Sequence, residues 1–177
     1  MPHDDSHPDR LQTAAPLDTL FTDGAPVDEQ DDLPETPRGS RKRARMACVQ
    51  ALYQWLLAAA DAGDIIRQFA HGGRLARADQ VFFEQALRGV VTDRAGLDGI
   101  FDAHLDRPVV QLDPVEHAIL LLATYELRDR PEIPHAAVIN EACDMARIYG
   151  AQDGYRFINA VLDATARDLR PHEKRGG

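Results

Sequence analysis

LDPVEHAILLLATYELRDR, residues 112–130, is the stretch on which the fold turns. Asp113 is a helix N-cap whose carboxylate can accept from the free N–H groups of the first turn. Pro114 falls at the first helical position, where its missing N–H is harmless. Glu116, three residues past the cap, can complete a capping box, and His117 beside it reads as a surface residue. Across 115–127 most side chains are apolar, and 118–123 is an unbroken apolar run. A helix apolar nearly all round is buried on several sides. At 1.5 Å per residue it is roughly 25 Å long, and it falls short of the ~20 apolar residues that a membrane span needs. We therefore expect it to be the central post of an all-helical domain.

The flanking segments supply helices to pack around that post. Residues 40–60 form the first, with Ser40 as its cap and Val49, Leu52, Tyr53, Leu56 and Ala60 on one face. Gly63 ends it; Asp64 caps a short helix over 65–70, closed by Gly72 and Gly73. A long period runs from Asp79 to Asp106, interrupted by Gly89, Gly96 and Gly99, each costing about 1 kcal/mol against Ala, and a break is expected near Gly96. Pro131 and Pro134 bracket a link. Residues 136–149 are helical with Gly150 as C-cap, and Asp153 caps a last helix that Pro171 stops. The fold class is all-α, with about seven helices.

Charge divides the chain. Residues 1–37 hold ten acids, six prolines and one base, Arg10; residues 38–177 hold 19 acids and 19 bases. The net charge of −9 therefore belongs to the N-terminal stretch, and the helical part is neutral, which leaves nucleic-acid partners open. Such an acidic, proline-rich stretch cannot bury enough apolar surface to offset its ordering entropy. The expected organisation is a disordered acidic tail over 1–38, a helical domain over 39–171 and a frayed C-terminus over 172–177. Cys48 and Cys143 read as two buried thiols, and no apolar secretion segment opens the chain, so a cytoplasmic location is expected.

Chemistry concentrates at the mouth of the first helix. Arg38, Arg41, Lys42, Arg43 and Arg45 fall within eight residues, against the preference of a helix N-terminus for negative charge. Phosphate binding explains such placement, because each neutralised phosphate releases counterions and arginine grips phosphate bidentately; a solvated charge run is the plain alternative. Tyr149, Tyr155 and Phe157 flank the corner at 150–154 beside Arg147 and Arg156, and unpaired bases stack on such rings. Taken singly, each of these rings, Phe157 among them, reads more readily as a core ring. No H-E-x-x-H, cysteine pair at metal spacing or glycine-rich phosphate loop is present, and Glu141 with Asp144 reads as a solvated face. The chain is not expected to be an enzyme or to hold a metal or cofactor.

Three stretches together resemble the NusB family of transcription antitermination factors: RKRARMACVQALYQW (41–55), LDPVEHAILLLATYELRDRPEIPHAAVINEACDMARIYGAQD (112–153) and YRFINAVLDATARDLRP (155–171). The resemblance covers about residues 40–171 and implies two packed helical sub-bundles that bind RNA. It further implies binding of boxA of nascent ribosomal RNA together with the ribosomal protein NusE, membership of the RNA polymerase elongation complex with other Nus factors, suppression of premature termination, and a homodimer when the partner is absent. Carried over by position, the RNA-facing residues are Arg41, Lys42, Arg43, Arg45, Gln50, Tyr149, Asp153, Arg156 and Phe157, and the NusE-facing ones are Tyr53 and Glu116. Glu116 thus has two expected roles, cap and partner contact. Lys42 stands where arginine is common, losing the bidentate fork, and His104 where a tyrosine contributes to RNA contact. A NusB-like domain also heads an RNA cytosine methyltransferase, a reading that needs a long downstream domain.

Overall fold

Asp113 caps the central helix as its sequence requires, accepting from the N–H of Val115 (2.9 Å) and of Glu116 (3.4 Å). The computed structural model describes residues 35–173. They form α1 (Pro37–Ala58), α2 (Ala62–His71), α3 (Gln80–Thr92), α4 (Arg94–Asp102), a 3-10 turn (Val109–Gln111), α5 (Pro114–Asp129), α6 (His135–Tyr149) and α7 (Gly154–Leu169). No strand occurs among the described residues. Of the expected 1–38 tail, residues 1–34 lie outside them.

The post is α5. Ala118, Ile119, Leu120, Leu121 and Leu122 are all fully buried, because α5 packs against α1, α3, α4, α6 and α7. Its far end is closed from a distance. Arg170, just past α7, donates to the carbonyls of Glu126 (2.9 Å), Leu127 (2.8 Å), Arg130 (3.1 Å) and Ile133 (2.6 Å). Carbonyls of a final helical turn have no intrahelical partner, and a guanidinium fork can serve several at once.

Several local expectations shift by a few residues. α1 starts at Pro37, because Thr36 takes the cap and accepts from Gly39 N–H at 3.1 Å. Ser40 lies inside the helix, and its carbonyl receives Asp79 N–H at 3.1 Å. Asp61, not Asp64, caps α2, so Gly63 is a helical residue. The break expected near Gly96 falls at Asp93, which ends α3 and caps α4 by accepting from Gly96 N–H. His117 is 6% exposed rather than a surface residue: its Nε2 lies 2.6 Å from Asp98 Oδ1, and its ring meets Phe101 edge-on. Of the expected frayed segment 172–177, residues 174–177 lie outside the described residues; Glu173 accepts from His135 N–H (2.8 Å) and from Arg170 (3.0 Å). It thereby caps α6, whose N-cap, Pro134, has no polar side chain. Both thiols are buried and free.

One buried charge pair ties α1 to the post. Arg45 Nε and Nη2 donate to Glu126 Oε1 (2.9 Å) and Oε2 (2.8 Å), with both side chains nearly sealed from solvent. Burial alone would lower the Arg45 pKa, but the bonds to Glu126 and its charge raise it. Breaking a buried pair strands the remaining charge, so Arg45→Ala should lower unfolding free energy by roughly 3–5 kcal/mol. Arg45→Met with Glu126→Leu should recover most of the loss in the same urea titration; a cost near zero for the single change would remove the pair from the account.

Gly89 marks where α3 crosses α5: a Cβ there would lie 2.3 Å from Tyr125 Cε2. At Gly99 an added Cβ meets nothing within 4 Å. Overpacking outweighs the gain in helix propensity at the first site only, so Gly89→Ala should destabilise by about 1–2 kcal/mol and Gly99→Ala stabilise by up to ~1 kcal/mol. Thermal melts of the two variants should move in opposite directions.

Candidate nucleic-acid interface

The helical period deals the basic run out to different faces of α1. Arg41 and Arg45, four apart, both turn toward Phe82, with their guanidinium carbons 4.4 and 5.4 Å from its ring centre. Arg45 is the partner of Glu126 described above, and only 6% of it is exposed. Arg43 is 4% exposed and donates through Nε to the Arg77 carbonyl at 2.9 Å. The structure thus places both on the inward side of α1, Arg45 held by Glu126 in the core and Arg43 lining a cleft beside Arg77.

Arg41 and Lys42 stay at the surface, with side chains 30% and 26% exposed. Each rests on a carboxylate. Arg41 Nε donates to Asp79 Oδ2 at 3.0 Å, and Lys42 Nζ to Asp144 Oδ2 at 3.4 Å. Asp79 also caps α3, accepting from Phe82 N–H at 2.9 Å. Burial alone would raise its carboxyl pKa, but the Phe82 N–H and Arg41 hold it below the ordinary range.

Asp144 does more than face solvent. Its Oδ1 takes Arg147 Nη1 at 3.1 Å while Oδ2 holds Lys42, so one carboxylate links α1 to the end of α6. Gln50 makes a second link, donating to the Tyr149 hydroxyl at 3.1 Å. Beyond Tyr149 the chain turns sharply. Gly150 is the C-cap of α6, with φ at −88°, and glycine is needed for closeness: a Cβ would sit 2.6 Å from the Ala146 carbonyl. Asp153 precedes α7 in the left-handed region, φ 64°, and its side chain caps nothing. It pairs instead with Arg156 at 3.6 Å.

The corner carries rings and cations together. Arg147 lies 4.2 Å over the centre of Tyr155, and Arg156 donates to the Tyr155 hydroxyl at 3.3 Å. Arg107 lies 5.3 Å over Phe157, which is half-buried against the core and half-open. Such arrangements hold a ring face and a positive charge at one spot, as base stacking over a phosphodiester chain requires. A continuous strip thus runs from Arg41 and Lys42 through Asp144 and Arg147 to Tyr155 and Arg156, with Gln50 and Tyr149 beside it. Arg147 and Tyr155 fall outside the motif-derived RNA set; their place beside basic and aromatic neighbours is the signal that marks them.

The two residues expected to face a partner part company. Tyr53 is 2% exposed, and burial and the charge of Asp113 push its phenol up. Glu116 is half-buried behind the first residue of α7, its Oε1 3.1 Å from where a Gly154 Cβ would stand. Burial first, then the neighbouring Asp113, push its carboxyl pKa up against the pull of Arg107. His104 Nε2 lies 2.7 Å from Asp168 Oδ2. Among the described residues, no group of three His, Cys, Asp or Glu could hold a metal, and no helix is long and apolar enough to cross a membrane.

The model of the NusB family matches residues 42–167. The transcription antitermination protein NusB of Burkholderia lata is 42% identical over 136 residues, 77% of this chain and 94% of that protein. NusB of Burkholderia mallei matches to the same extent. Among solved structures, T. maritima NusB superposes with a TM-score of 0.65 at 28% identity, over 75% of this chain and 92% of that one. The chain belongs to the NusB family.

Proposed function

We propose that this chain is a transcription antitermination factor that holds single-stranded RNA along the strip from the mouth of α1 to the α6–α7 corner. The observation that carries this reading is the continuity of the strip: Asp144 joins Lys42 and Arg147, and Arg147 lies over Tyr155. The names of the NusB relatives support it. Arg41, Lys42, Arg147 and Arg156 neutralise phosphates, while Tyr149, Tyr155 and Phe157 offer ring faces to bases and Gln50 and Asp153 offer edge hydrogen bonds. The RNA is boxA of a nascent ribosomal transcript. NusE binds beside Glu116, and the pair enters the RNA polymerase elongation complex in the cytoplasm with other Nus factors. Without NusE, copies of the chain self-associate. The chain performs no catalysis.

The exposed ion pairs on the strip suit this role. A surface pair contributes about 0–1 kcal/mol, so a phosphate can replace a carboxylate at little cost. Lys42→Ala and Arg156→Ala each remove one exposed cation. Each should weaken boxA binding across sequences and reduce the slope of log affinity against log salt by about 1, while thermal stability stays near wild type. Phe157→Ala should weaken binding without altering the salt slope. The assay is a gel shift or anisotropy titration with and without NusE. Wild-type affinity in all three variants would overturn the strip as the RNA site.

A further inference from the structure

The acidic N-terminal stretch and the mouth of α1 match in charge and position. Residues 1–34 carry nine acids, among them Asp28, Glu29, Asp31 and Asp32, against one base, Arg10. They join the described chain at Glu35, which is already bound: Arg77 Nε meets Glu35 Oε1 at 2.9 Å. Thr36 and Pro37 then start α1, so the acidic stretch is delivered within three residues of Arg38. Around that point the described surface is cationic. Arg38 is exposed, Arg41 and Arg77 are partly exposed, and Arg43 lines the same cleft from below. The cleft, about 350 Å³, lies between Glu35 and Thr36 before α1, Pro37 and Ser40 on it, and Arg77 on the α2–α3 link. On this face Arg41 pairs with Asp79 and Arg77 with Glu35. The first turn of α1 holds no acid of its own to offset its positive dipole end.

We infer that the mouth of α1 is the docking surface of this chain's own residues 1–34, which occupy it as an internal polyanion that RNA must displace. The Glu35–Arg77 pair is the first contact of that docking. Tethering supplies the rest: a segment covalently fixed beside its site faces that site at a millimolar effective concentration, so weak charge pairs suffice. The consequence is selectivity. Any RNA that offers phosphates alone competes with a tethered anion, whereas an RNA that also stacks at the α6–α7 corner gains contacts the acidic stretch cannot replace. The competition half of this inference rests on the RNA reading above; the docking half does not.

The test uses the full chain. In one variant the nine acids of residues 1–34 become Asn or Gln; in another Arg38 and Arg77 become Glu. A nitroxide on Thr22→Cys, in a background whose native thiols are buried, reports docking through line broadening of backbone amides near Arg38 and Arg77. Broadening is expected in the labelled parent at low salt. It should vanish in both variants and in 0.5 M salt, where screening shortens the reach of exposed charges to well under ~10 Å. For RNA, the amide variant should bind a non-specific single-stranded oligomer roughly tenfold more tightly than wild type at 50 mM salt, with the gap closing as salt rises. Absent broadening, or broadening that survives the amide changes, overturns the docking. Broadening with equal RNA affinities at low salt overturns the competition. If the contact is seen and no form of the chain binds RNA, the docking surface stands and the RNA reading falls.

Discussion

The structure depends on keeping α5 dry. A helix surrounded by five others has little room for unsatisfied groups: its two ends and its buried Glu126 each have a partner, while the buried Thr124 hydroxyl has none. Asp113 closes its N-terminus locally. Arg170 closes its C-terminus from beyond α7, serving carbonyls on α5 and on the link that follows. Arg45 reaches in from α1 to neutralise Glu126, which is 1% exposed. Each partner fixes an element: Arg45 sets the rotation of α1 about its axis, and Arg170 sets where α7 ends. Glu173 then follows Arg170 back to cap α6. The surface strip is a by-product of this arrangement, because the rotation that sends Arg45 inward sends Lys42 toward α6.

What was legible in the sequence was whatever neighbouring residues decide. The central helix, its Asp113–Pro114 start and the seven helical segments were open to reading because caps and 3.6-residue periods act over a few positions. The start of α1 was misplaced because Thr36–Pro37, a good cap and first position, sits at the end of a proline-rich acidic stretch that reads as tail. His117 reads as exposed from its polarity, yet Asp98 and Phe101 on α4 give it a buried seat. The capping of α5 by Arg170 spans 40 residues or more, so no local pattern carries it.

The candidate site was legible as a composition and not as an arrangement. A run of cations announces positive charge near the start of a helix, but not which cations the core will claim. Arg45 and Lys42 are three positions apart and so neighbours on the helix surface, yet Glu126 claims the first and Asp144 the second. Tyr53 shows the same limit: its place on an apolar face does not say how far packing covers it, and the structure leaves 2% of it exposed. Arg147 and Tyr155 went the other way. They lie outside the matched motif positions, yet stacking at 4.2 Å with Asp144 behind makes them the joint of the strip.

Two kinds of ion pair therefore stand on one helix, and burial decides what each can do. The Arg45–Glu126 pair has side chains 7% and 2% exposed, and neither member can leave without stranding a charge at a cost of several kcal/mol. Asp144 is 43% exposed, its carboxylate is shared between Lys42 and Arg147, and water already screens both contacts. Replacing it with a phosphate oxygen exchanges one solvated anion for another that brings more acceptors. The first pair holds the helix in place; the second keeps two cations pointed at one spot, where the proposed RNA would take the place of the carboxylate. A basic run without its carboxylates would splay its side chains by mutual repulsion, and would have to order them at the moment of binding. Here Asp79 and Asp144 keep Arg41, Lys42 and Arg147 in position before any ligand is present, so the ordering cost of binding falls on the ligand more than on the protein.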